Sequence, residues 1–100
     1  LGEKHPDTLD ALAISYECLG DYNKVFEMRK AVYNGRKEFL DENNPDTLTS
    51  LSNLAISYYH LGDYNKALKT ENKVYNARKE VLGERFGYVN ITFQSSNFLF

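Results

Sequence analysis

Two stretches of this chain, AISYECLGDYNK at 13–24 and AISYYHLGDYNK at 55–66, agree at ten of twelve positions and lie 42 residues apart. A fixed period constrains the fold more than any other feature, because each copy must form the same structural unit and bury its apolar side against a neighbour. The match extends outward. Between 13–40 and 55–82, 17 of 28 positions are identical, including VYN, RKE and a closing leucine. A second echo, HPDTL at 5–9 and NPDTL at 44–48, has a spacing of 39. Unit one therefore has three residues fewer before its repeated phrase. That is close to one helical turn, so the apolar face survives and the first helix is shorter.

Each unit reads as two helices. In unit two, Asn44 is a cap, Pro45 suits the first helical position, and the Asp46 charge complements the positive helix start. Leu48, Leu51, Leu54, Ala55 and Tyr58 follow at helical spacing. Gly62 ends this helix, because it accepts the left-handed conformation of a helix C-terminus, and Asp63 caps the next. The second helix carries Tyr64, Ala67/Leu68, Val74/Tyr75 and Val81/Leu82. Unit one repeats this with Tyr22, Val25/Phe26, Val32/Tyr33 and Phe39/Leu40. Doublets every seven residues predict one apolar stripe along a helix of about five turns. Gly35 interrupts unit one's second helix where unit two has Ala77, which reads as drift or as a close helix contact. Neither hairpin can bury its stripe alone; stacked neighbours can.

Both units resemble tetratricopeptide repeats. Unit two supplies that family's pattern with Leu51, Leu54-Ala55, Tyr58, Gly62, Tyr64 and Ala67. Unit one supplies Leu9, Leu12-Ala13, Tyr16, Gly20 and Tyr22, and departs at Val25, where the family prefers alanine. The 42-residue period and the phrases LGEKHPDTL and LDENNPDTL resemble the long repeats of kinesin light chains. The resemblance implies an all-α fold of helical hairpins stacked as a right-handed α-solenoid. It implies a protein-interaction module that binds a peptide or partner protein in a concave groove, without catalysis. Carried onto this chain, the groove positions are Asp10, Ile14, Glu17 and Cys18, then Ser52, Asn53, Ile56, Tyr59 and His60. The two substitutions inside the repeated phrase, Glu17/Tyr59 and Cys18/His60, are both among them.

The organisation expected is the end of a preceding repeat and linker at 1–6, unit one at 7–43, unit two at 44–85, and a degenerate third unit or capping tail at 86–100. The start at Leu1, without methionine or leader, is expected of a piece of a longer array. That array would be a binding module, or the regulatory or sensor arm of an enzyme or transcription regulator, or a spacer. In the tail, FGYVNITFQSSNFLF, the alternation of Val89, Ile91 and Phe93 with polar residues has a strand period where the register calls for a helix. Docking on unit two's stripe, or self-association through exposed repeat ends, would cover the apolar surface.

The remaining composition narrows the chemistry. A net charge of −2 with interleaved signs is no footprint for nucleic acid. No apolar run approaches the length of a membrane span. One cysteine, Cys18, fits a reducing compartment such as the cytoplasm. His5, His60 and Cys18 lack zinc-ligand spacing, Cys18 has no fixed base beside it, and Glu27, Glu38 and Glu80 read as solvated. No cofactor or catalytic set is expected, and Asn90-Ile91-Thr92 is a chance glycosylation match. Arg29 and Glu71, equivalent positions of consecutive units, are expected to form an ion pair between repeats.

Overall fold

The computed structural model describes residues 5–85, with side chains to residue 83. Within them the chain forms four helices and no strand: α1 (Pro6–Cys18), α2 (Tyr22–Phe39), α3 (Pro45–His60) and α4 (Tyr64–Arg85). Each helix packs on the next in sequence. The tail at 86–100, its alternation and its glycosylation match lie outside the described residues.

The repeated LGD explains how each hairpin turns. Gly20 and Gly62 take φ of +80° and +85°, a region that side-chain-bearing residues enter at a cost. The Gly20 N–H then donates to the Glu17 carbonyl at 3.0 Å, and the Asp21 N–H to the Tyr16 carbonyl at 3.0 Å. In unit two, Gly62 and Asp63 make the same bonds to Tyr59 and Tyr58. These two bonds satisfy carbonyls that the helix end would leave orphaned. The aspartate serves twice. Its N–H closes one helix, and its carboxylate caps the next, accepting from Lys24 N–H at 3.3 Å or Lys66 N–H at 3.2 Å. Asn44 caps α3 as its sequence predicts, accepting from Asp46 N–H at 2.9 Å. His5 takes that place for α1, its Nδ1 accepting from Asp7 N–H.

The core is centred on α3. Leu48, Leu51 and Leu54 are buried with Val74 of α4, and Phe26, Tyr33, Tyr58 and Ala77 pack around them. The helix is buried on two sides because α2 and α4 flank it. By contrast Leu12, the counterpart of Leu54, is 41% exposed, since among the described elements α1 packs on α2 alone. Val25 is buried to 1% exposure, so the contact where the family prefers alanine accommodates the larger side chain.

The apolar stripes are shorter than the doublets predict. Val25 and Val32 are buried and Phe26 and Tyr33 half-buried, but Phe39 projects into solvent and Leu40 takes extended backbone, ending α2. In α4 the first members, Ala67 and Val74, are buried, and the second members, Leu68 and Tyr75, are exposed. The difference is one of neighbours: α3 covers the second members of α2, and no described element covers those of α4. A Cβ built at Gly35 meets nothing within 4 Å, so no close helix approach requires that glycine.

Candidate partner-binding site

The expected groove positions divide into side chains bonded within the scaffold and side chains that, among the described residues, stay exposed. Arg36 gathers three elements. Its guanidinium donates to Ser50 Oγ of α3 at 2.7 Å and to Asp10 of α1 at 3.3 Å, with Asp7 at 3.8 Å. Asp10 is thus a strut between helices. Glu17 is another: its Oε2 lies 3.0 Å from Arg29 Nη1 of α2 and 3.4 Å from His60 Nδ1 of α3. The contact with Arg29 is an ion pair. Glu17 Oε2 and His60 Nδ1 are both buried without a hydrogen bond of good geometry. In unit two, the Ser52 hydroxyl donates to Glu71 Oε1 at 2.9 Å, and Asn53 is half-buried. Ile14, Cys18, Ile56 and Tyr59 remain exposed.

The expected Arg29–Glu71 pair does not form. Arg29 is 8% exposed and is held in its own unit by Glu17, while it donates to Ser57 Oγ of α3 at 3.2 Å. Glu71 is exposed and held by Ser52. A partner already in place within each hairpin competes with the longer reach between units.

This arrangement places a filled joint beside an open slot. In the joint, α3 lies on unit one. Phe26 meets Tyr58 with ring centres 5.4 Å apart, Tyr22 meets His60 at 4.6 Å, and Arg29 meets Ser57. The slot is the same surface 42 residues later, and among the described residues it is unoccupied. Its floor is Ala55 and Ala67, and Ile56, Tyr59, Tyr64, Leu68 and Glu71 form its walls, enclosing about 500 Å³. That volume falls in the range of small-ligand and side-chain pockets. Tyr59 and Tyr64 stand edge to face at 5.2 Å, so the aromatic wall is braced. Glu71 is the sole charge in an otherwise apolar lining.

Ser52, Ile56 and Tyr59 of the expected groove therefore converge on one feature, Ile56 and Tyr59 as lining and Ser52 through its bond to Glu71. The spacing argument omitted Arg29, Arg36 and Tyr64, because it considered only the first helix of each hairpin, and it passed over Ser50 and Ser57 of α3, which bond to arginines of α2. One signal was present in the sequence. Positions 17 and 29 change together between units, from Glu with Arg to Tyr with Glu, and these positions face each other across each hairpin. Among the described residues, no three of His, Cys, Asp and Glu gather where they could share a metal ion. No described helix is long and apolar enough to cross a membrane.

The sequence profile of the tetratricopeptide repeat family matches residues 4–80. No curated protein and no solved structure matches the chain significantly.

Proposed function

Because the chain belongs to the tetratricopeptide repeat family, whose repeats generally mediate protein–protein interactions and are typically non-catalytic, we propose that it is a binding module whose anchor is the slot of unit two. The slot takes an apolar side chain of a peptide or partner protein between Ile56, Tyr59 and Leu68. A donor on the same ligand meets Glu71. The observation that carries this reading is the contrast between equivalent surfaces: unit one's is closed by α3, and unit two's is open among the described residues, with two tyrosines and a leucine exposed. Exposed aromatic and apolar side chains around one polar group are the composition of an interaction hot spot.

On this reading the hairpins belong to a right-handed α-solenoid of the long, kinesin-light-chain-like kind, supported by the 42-residue period, and the concave groove runs past Ile14, Cys18, Ile56 and Tyr59. Recognition is by shape and groove chemistry, with no turnover. Selection from a random peptide library against the immobilised chain tests it. Enriched peptides should share an apolar anchor, and their binding should fall at least tenfold in Ile56→Ala and Tyr59→Ala. Both side chains are exposed, so the fold should be unaffected. Enriched peptides that bind both variants at full strength would place the site elsewhere.

A further inference from the structure

We infer that the open face of unit two receives α1 of a second copy of this chain, repeating between molecules the joint that α3 makes on α2 within one. The inference extends the binding-module reading and rests on its premise that the open face of unit two is an interaction surface.

The internal joint shows what the two mating faces need. The receiving face of unit one consists of Tyr22, Phe26 and Arg29. The inserted face of α3 consists of His60, Tyr58 and Ser57, in contact with them in that order. Both faces occur a second time, unmated among the described residues. The second receiving face is Tyr64, Leu68 and Glu71, with Tyr64 62% and Leu68 63% exposed. The second inserting face is on α1, where Ser15, Tyr16 and Cys18 stand at the positions of Ser57, Tyr58 and His60. Ile14-Ser15-Tyr16 and Ile56-Ser57-Tyr58 are the same tripeptide. Tyr16 and Tyr58 are both half-buried, and each has a lysine over its ring, Lys24 at 4.9 Å and Lys66 at 5.8 Å. Tyr58 also carries Phe26, and Tyr16 has no such cover among the described residues.

The chemistry of the two faces agrees despite the substitutions. Tyr16 of one copy covers Leu68 of the other, as Tyr58 covers Phe26. The Cys18 thiol comes over the Tyr64 ring, where sulfur on an aromatic ring is favourable. The charge at position 29/71 is reversed, but the group that meets it is a hydroxyl in both cases. A hydroxyl both accepts and donates, so Ser57 accepts from Arg29, and Ser15, whose hydroxyl makes a long 3.4 Å bond to the Ala11 carbonyl in the free chain, turns to donate to Glu71. The contact is heterologous, since different faces of the two copies meet. It leaves one face of each kind free at the ends, so association continues beyond the dimer unless a ring closes.

Sedimentation of the full chain over a concentration series tests this, with two variants at exposed positions. Wild type should rise from the monomer mass of 11.5 kDa past twice that value as concentration increases. Ser15→Glu puts a carboxylate opposite Glu71, and Leu68→Arg puts a cation in the apolar contact, so each should stay monomeric. Mixed together, the two should form a one-to-one dimer, because each retains the face that the other has lost. A full chain that stays monomeric to about 1 mM overturns the inference, whether residues 86–100 or nothing covers Leu68. So does assembly that both variants leave unchanged, or a mixture that does not pair. Peptide capture by Ser15→Glu provides an independent readout, since Ser15 lies outside the slot. Retained capture with unchanged assembly counts against the second copy alone, and lost capture counts against the binding-module reading.

Discussion

Glu17 Oε2 stands 3.0 Å from Arg29 Nη1 of its own hairpin and 3.4 Å from His60 Nδ1 of the next. One carboxylate thereby connects both helices of unit one to the first helix of unit two. The same joint holds two aromatic pairs, Tyr22 with His60 and Phe26 with Tyr58. Truncating one partner of a buried pair strands the other. Arg29→Ala should lower unfolding free energy by about 2 kcal/mol, below the fully buried case because the Glu17 side chain is 29% exposed. Urea denaturation monitored by circular dichroism measures it. A change under about 0.5 kcal/mol, the level of a surface substitution, would show that the joint does not depend on this pair.

Phe26 and Leu68 are equivalent by the repeat and opposite in environment. Phe26→Ala removes a ring packed on Tyr58 and the core, and should cost about 3 kcal/mol. Leu68→Ala, at 63% exposure, should cost no more than about 0.5 kcal/mol at low micromolar concentration, where association is absent. Equal losses at the two positions would mean that Leu68 is covered.

Gly35→Ala should stabilise the protein by about 1 kcal/mol, the usual difference between alanine and glycine within a helix. The space around Gly35 is open, and alanine already stands at the equivalent position 77. A lower thermal midpoint in the variant would reveal a function for that glycine which the open space does not suggest.

Gly62→Ala should have the opposite sign. Nothing crowds a Cβ there, but φ of +85° is strained for any residue with a side chain. The expected loss is about 1–2 kcal/mol. Comparing Gly35→Ala with Gly62→Ala in one denaturation series separates backbone conformation from packing, and the same sign for both would contradict this account.

Removing the cap should cost less than removing a joint residue. Asp63→Ala leaves the N–H that closes α3 intact and removes the acceptor for Lys66 N–H together with an exposed ion pair to Lys66 Nζ at 3.8 Å. A loss of about 1 kcal/mol is expected from thermal unfolding. A loss near zero would show that water replaces the carboxylate at this exposed turn.

What was legible in the sequence came from short range. Hairpins, caps and the Gly-Asp turn depend on residues within about five positions of one another, and the LGD of each copy specifies its bonds locally. Exposure at the expected groove positions was legible in part: Ile56 and Tyr59 are exposed in the slot as their helix positions imply, whereas Asp10 and Glu17 are tied to arginines of the second helix. That tie was obscured because Arg29 was matched with Glu71 by equivalence rather than with Glu17 by the turn of its own hairpin.

The sequence by itself determined the repeat, the number and order of the helices in it, and which residues close and open them. It did so because helix periodicity and capping are local interactions, stated twice. Only the tertiary structure decided which copy of each side chain is covered. Arg29 meets Ser57 across 28 residues and Phe26 meets Tyr58, and among the described residues no following helix meets their counterparts Glu71 and Leu68. Identical local patterns acquire different burial when one has a neighbour and the other does not, and burial depends on what packs alongside, which no window of the sequence contains.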